Sequence, residues 1–201
     1  MDFSELIDLA SERLGGAVLV ANDEFFAPKE NLLKPNAAIF RVGEYTDRGK
    51  WMDGWETRRR RTPGFDWCII RLGLPGIIRG IVVDTSFFRG NYPEHCSLEA
   101  ATFESIPSIE DITAQNVAWI PLLPQMPLAG DSQNPFKIDY NERVTHLRFK
   151  IYPDGGVARL RVYGEVSPDW ETIRNRGGEV DLAAVENGGV VLSCSDMFFG
   201  H

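Results

Sequence analysis

The sequence predicts an all-β fold, an antiparallel sandwich of two sheets. Short β-branched runs recur between turn residues, and Pro153-Asp154-Gly155-Gly156 separates two alternating runs. With 19 glycines, 12 prolines and 11% aromatics in 201 residues, the composition favours turns and packed strands over a helical bundle.

The elements follow in order. Phe3, Leu6, Ile7, Ala10 and Leu14 stand at helical spacing and predict a short N-terminal amphipathic helix over residues 3–14. Residues 17–21 read as the first strand, 22–35 as a polar, proline-containing loop, and 43–64 as a second loop. Residues 66–72 and 77–84 are rich in β-branched side chains and read as buried strands around a Leu74-Pro75-Gly76 turn. Residues 97–103 and 116–122 are further strands, and 124–135, with three prolines, a loop. Residues 143–152 and 157–164 flank Asp154-Gly155, the strongest short-range hairpin signal. Such a hairpin sets Leu147 opposite Val162, Phe149 opposite Leu160 and Ile151 opposite Ala158 on a core-facing side. Its other face then opposes Arg148 to Arg161 and Lys150 to Arg159. That repulsion calls either for nearby Asp or Glu or for a bound anion.

Apolar residues make up 43% and charged residues 25%, as in ordinary globular proteins. The net charge of −8 argues against a nucleic-acid partner and an anionic membrane surface. No apolar run reaches transmembrane length and no signal peptide opens the chain. Cys68, Cys96 and Cys194 are odd in number and lack metal-ligand spacing, which reads as reduced thiols in the cytoplasm. His95 and His146 form no metal spacing either, and no cofactor motif is evident; a divalent metal is compatible with the chain, with its ligands unknown.

An internal repeat is present. A shift of 173 residues sets Asp8-Leu9-Ala10 on Asp181-Leu182-Ala183, Gly15-Gly16 on Gly188-Gly189, Val18-Leu19 on Val191-Leu192, Asp23 on Asp196, and Phe25-Phe26 on Phe198-Phe199. Ten of the 21 positions from Asp8 to Pro28 are identical without a gap. Residues 1–176 are expected to form one repeat, and 177–201 a linker and the truncated start of a second, without strand partners.

The densest chemistry lies at residues 50–61, where Trp51, Asp53, Trp55 and Glu56 precede four consecutive arginines. Arginine presents a planar fork to a carboxylate, and a carboxylate accepts bonds from urea-like N–H groups and carries protons. Asp53 and Glu56 are the candidates for proton transfer. Arg58 or Arg59 would clamp an anion, with Trp51 and Trp55 as walls or simply packed beneath the loop. Asp84 ends a strand, and Asn31 and Asn91 can bind amide-like groups or terminate turns. Asp23, which recurs as Asp196, reads as a turn or capping residue.

Residues 22–33, 46–59, 66–73 and 152–164 together resemble allantoicase over nearly the whole chain. The most specific features are the tryptophan–arginine loop and its distance from Tyr152-Pro153-Asp154-Gly155-Gly156. The resemblance implies two tandem repeats, each a jelly-roll sandwich of the galactose-binding-like type. It also implies hydrolysis of allantoate to ureidoglycolate and urea in purine breakdown, by a homo-oligomer in the full-length form. The competing reading is a non-catalytic module of the same fold that binds a small ligand or carbohydrate.

Overall fold

In the computed structural model, residues 2–196 are described. The strands are β1 (Ile7–Asp8), β2 (Ala17–Ala21), β3 (Tyr45–Thr46), β4 (Gly49–Lys50), β5 (Trp55–Glu56), β6 (Asp66–Asp84), β7 (His95–Ala101), β8 (Ile120–Pro127), β9 (Gln133–Lys137), β10 (Val144–Tyr152), β11 (Gly156–Val157) and β12 (Arg159–Val166). Two short helices, α1 (Ile109–Thr113) and α2 (Trp170–Arg176), complete them.

One strand organises both layers. The first part of β6 pairs with β10 and β2, and its later part pairs with β12 and β9. The layers are therefore β2–β6–β10–β7–β8 and β1–β12–β6–β9, joined through β6. The expected turn at Leu74-Pro75-Gly76 instead runs on as part of this strand. Pro75 is accommodated there because the β10 register skips from Arg71 to Gly76. Side chains alternating inward from β6 (Cys68, Ile70, Leu72, Ile78, Ile81 and Val83) meet Leu147, Phe149 and Ile151 of β10 and Leu160 and Val162 of β12 in one core.

The expected hairpin is not formed. β10 pairs with β6 and β7, while β12 pairs with β6 and β1. Leu147 and Val162 share the core from different layers rather than facing across a ladder. Pro153 has no N–H to give, and the Gly155 and Gly156 N–H groups donate to Thr57 Oγ1 at 3.2 Å and Asn91 O at 2.7 Å. The cationic side chains are neutralised by acids: Arg148 and Lys150 meet Glu99, Arg159 meets Asp53, and Arg161 meets Asp8.

Two further expectations change. The N-terminal segment is not one amphipathic helix but two 3₁₀ turns, Phe3–Glu5 and Glu12–Leu14, around β1. Leu9 N donates to Val162 O at 2.7 Å, and Asp8 Oδ1 accepts from Val162 N at 3.0 Å, so strand contacts hold this segment extended. The proline-rich stretch expected as loop contributes β9 and the end of β8, an edge strand where prolines are tolerated.

The internal repeat recurs as local structure. Asp8 Oδ1 accepts from Ala10 N at 3.3 Å, and Asp181 Oδ1 from Ala183 N at 2.9 Å. The 3₁₀ turns Glu12–Leu14 and Val185–Asn187 both end on a glycine at φ 90°, Gly15 and Gly188. Gly16 and Gly189 then donate to Ser11 O and Ala184 O, each at 3.0 Å. The surroundings differ: Leu9 is fully buried, while Leu182 is 71% exposed. The matched Phe198-Phe199 pair lies outside the described residues.

Candidate functional site

The loop from Trp51 to Arg61 is anchored from beneath. Trp55 is fully buried against Phe149, and its indole N–H donates to Asp23 O at 2.8 Å. The buried Asn31 amide donates to Gly54 O at 3.0 Å. β5 pairs with β11, setting Glu56 opposite Gly156. Thr57 N donates to Gly155 O at 3.1 Å, and Gly155, at φ 138°, lies too close to Asn91 O and Pro93 N to carry a side chain. Residues 55–60, 90–94 and 153–156 are thereby clamped together.

Their junction is a cavity of about 410 Å³ with Glu56 in its wall. Glu56 is 9% exposed, and Asn91 Nδ2 donates to its Oε1 at 2.7 Å. Burial pushes the Glu56 carboxyl above its ordinary value, and the Asn91 amide only partly offsets this. Arg59, Arg60, Tyr92, Glu94 and Asp154 complete the polar lining. Arg60 is committed to Asp66 at 2.6 Å and Arg58 to Asp23 at 2.7 Å. Among the described residues, Arg59 is the one of these three with no carboxylate partner.

The structure thus brings Glu56, Arg59 and Asn91 together and places the other candidates elsewhere. Arg58 lines a neighbouring cavity of about 330 Å³ with Asp23. Asp53 and Trp51 line a third, of about 340 Å³. Burial works against the Asp53 charge, but Arg159 at 2.7 Å and the Ile39 N–H outweigh it and hold its carboxyl below the usual range. Arg41 lies over the Trp51 ring, 4.7 Å from its centroid. Trp55 and Asn31 are buried supports, and Asp84 accepts from Ser86 N at 2.8 Å as a strand-end cap. Asp23 holds Arg58 through its side chain and its backbone N–H.

Sequence reasoning missed Arg60, Tyr92, Glu94 and Asp154. For Asp154 the one available signal, the Asp-Gly dipeptide, pointed to a turn. No group of three or more His, Cys, Asp or Glu side chains among the described residues is placed to hold a metal ion. Among the same residues, no helix is long and apolar enough to cross a membrane.

Residues 7–167 match the family model of the allantoicase repeat. The chain belongs to the allantoicase family. It is 54% identical over 199 residues to a probable allantoicase of Nocardia farcinica, covering 98% of this chain and 60% of that protein. The allantoicase of Dictyostelium discoideum is 47% identical over 198 residues, with 98% and 53% covered. The crystal structure of allantoicase from Saccharomyces cerevisiae superimposes with a TM-score of 0.81 at 36% identity, covering 98% of this chain and 57% of that one. The chain therefore spans little more than half the length of such allantoicase relatives. The C-terminal domain of a chitobiase from Bacteroides fragilis, at 14% identity and a TM-score of 0.55 over 81% of this chain and 99% of its own, shares the fold alone. Within the allantoicase repeat, the Glu56 cavity is assembled from Phe26 and three longer segments that all fall inside the matched range.

Proposed function

We propose that the protein hydrolyses allantoate to ureidoglycolate and urea, with Glu56 as the proton carrier and Arg59 as the carboxylate clamp. One observation carries this reading: a buried carboxylate and an arginine that, among the described residues, has no acidic partner line the same cavity. Family membership supplies the substrate class. Allantoate has one carboxylate and two ureido groups on one carbon. An arginine fork suits the carboxylate. Expelling urea requires a proton on the departing nitrogen, and a carboxyl whose proton is held more tightly by burial is suited to deliver it. Asn91 orients that carboxyl by holding its other oxygen.

The test is Glu56→Gln in the full-length enzyme, assayed by urea release. Glutamine keeps an oxygen for the Asn91 amide but has no proton to give, so turnover should fall by roughly 10²-fold or more. Unchanged turnover would remove Glu56 from the mechanism.

We further propose that residues 1–176 form one repeat and that 177–201 comprise a linker and the opening of a second. The support is the recurrence of the aspartate-held turn, the 3₁₀ turn after it and its glycine pair at the 173-residue offset, together with the exposure of Leu182, Val191 and Leu192. The unpaired state of all three cysteines is in keeping with a cytoplasmic setting.

A further inference from the structure

We propose that Asp154 is the second proton-transferring carboxylate of the Glu56 cavity, taking the proton from the attacking water. The inference rests on the hydrolytic reading above. Asp53, which sequence clustering pairs with Glu56, is locked onto Arg159 and lines a different cavity. Asp154 lines the Glu56 cavity itself. It lies two residues before Gly156, the register partner of Glu56.

The position is fixed from several directions. Thr57 N donates to Gly155 O at 3.1 Å, Gly155 N to Thr57 Oγ1 at 3.2 Å, and Gly156 N to Asn91 O at 2.7 Å. Asp154 itself uses Oδ2, which accepts from Arg60 N at 2.8 Å. Its Oδ1 has no protein hydrogen bond among the described residues, so one basic oxygen remains available to a water. The other charged or titratable groups facing this space are Arg59 and Arg60 from the Glu56 segment, and Tyr92 and Glu94 from the Asn91 segment. Glu94 is exposed, whereas Asp154 is half-buried.

The chemistry balances with these two carboxylates. Glu56 gives its proton to the nitrogen of one ureido group as the C–N bond breaks, and the bonding pair leaves with urea. The lone pair of the retained ureido nitrogen forms a C=N bond to the central carbon. The oxygen of water adds to that carbon, its proton passes to Asp154, and the C=N pair returns to nitrogen, giving ureidoglycolate. Transfer of the Asp154 proton to Glu56 through solvent restores the starting state. No oxidant or further reactant is required.

The test compares Asp154→Asn with Glu56→Gln in the full-length enzyme, reading kcat/KM for urea release against pH and Tm in parallel. Asparagine still offers an oxygen to Arg60 N, so a purely structural role predicts near-normal turnover. A base role predicts a loss of about 10²-fold or more at unchanged Tm, with the acid-side limb of the pH profile abolished. A second variant, Asp154→Ala, should regain turnover when formate is supplied as an external base. Turnover of Asp154→Asn within a few-fold of wild type, an unchanged acid limb, or no recovery with formate each overturns the proposal. If Glu56→Gln loses turnover while Asp154→Asn keeps it, this inference alone falls; if Glu56→Gln keeps it, the hydrolytic assignment of Glu56 falls first.

Discussion

The burial of Glu56 couples stability to pH. Its carboxyl is held above the ordinary value by burial. The folded state therefore binds this proton more tightly than the unfolded chain does. The resulting stabilisation is complete below the unfolded value and is lost as pH rises through the folded one. Glutamine has no charge to bury and keeps the oxygen that Asn91 holds. Glu56→Gln should thus melt close to wild type in acid and above it at neutral pH. Thermal unfolding across that range checks the sign, and a deficit for Glu56→Gln at neutral pH would contradict it. Asp53 differs in kind. With Arg159 only 2% exposed, Asp53→Asn leaves a buried guanidinium without its countercharge and should cost about 3 kcal/mol. Turnover by the molecules still folded should stay within a few-fold, since Asp53 lies outside the Glu56 cavity. Denaturant melts and rates below Tm separate the two effects.

At the scale of elements, the pattern of β-branched runs made β2, β6, β10 and β12 legible in the sequence, because alternation is a local property of a half-buried strand. Pairing was less legible. Asp154-Gly155 reads as a hairpin turn, yet the N–H groups that would close it go to Thr57 and Asn91, far away along the chain. The N-terminal spacing imitated a helix because Phe3, Leu6, Ile7, Ala10 and Leu14 are all at least partly buried, though they come from two 3₁₀ turns, a two-residue strand and the turn after it. The same distinction runs through the site. Glu56 and Arg59 stood out as members of a dense charged cluster, whereas Asp154 was hidden by its turn-like context. Trp55, Asn31 and Asp84 proved to be buried supports because a residue type that suits a ligand equally suits a buried loop.

For the whole molecule, the repeated opening motif gives a direct comparison. Leu9 is fully buried and Leu182 is 71% exposed, although each follows an aspartate that caps the same local turn. In the 201-residue chain, Leu9→Ala should cost about 2–5 kcal/mol, while Leu182→Ala should stay within about 0.5 kcal/mol. In a longer protein that carries a second repeat, the Leu182 cost should rise to match that of Leu9. Parallel melts of both lengths decide this, and a negligible cost in the longer protein would count against the second repeat. The continuous β6 sets a different constraint on the molecule. Because one strand supplies inward side chains to both layers, an extra residue between its two halves would have to be taken up in the irregular register around Pro75. Otherwise it would turn Ile78, Ile81 and Val83 toward solvent while Cys68 and Ile70 stayed inside. Length changes compatible with this architecture are thereby steered away from its spine and into the connections around it.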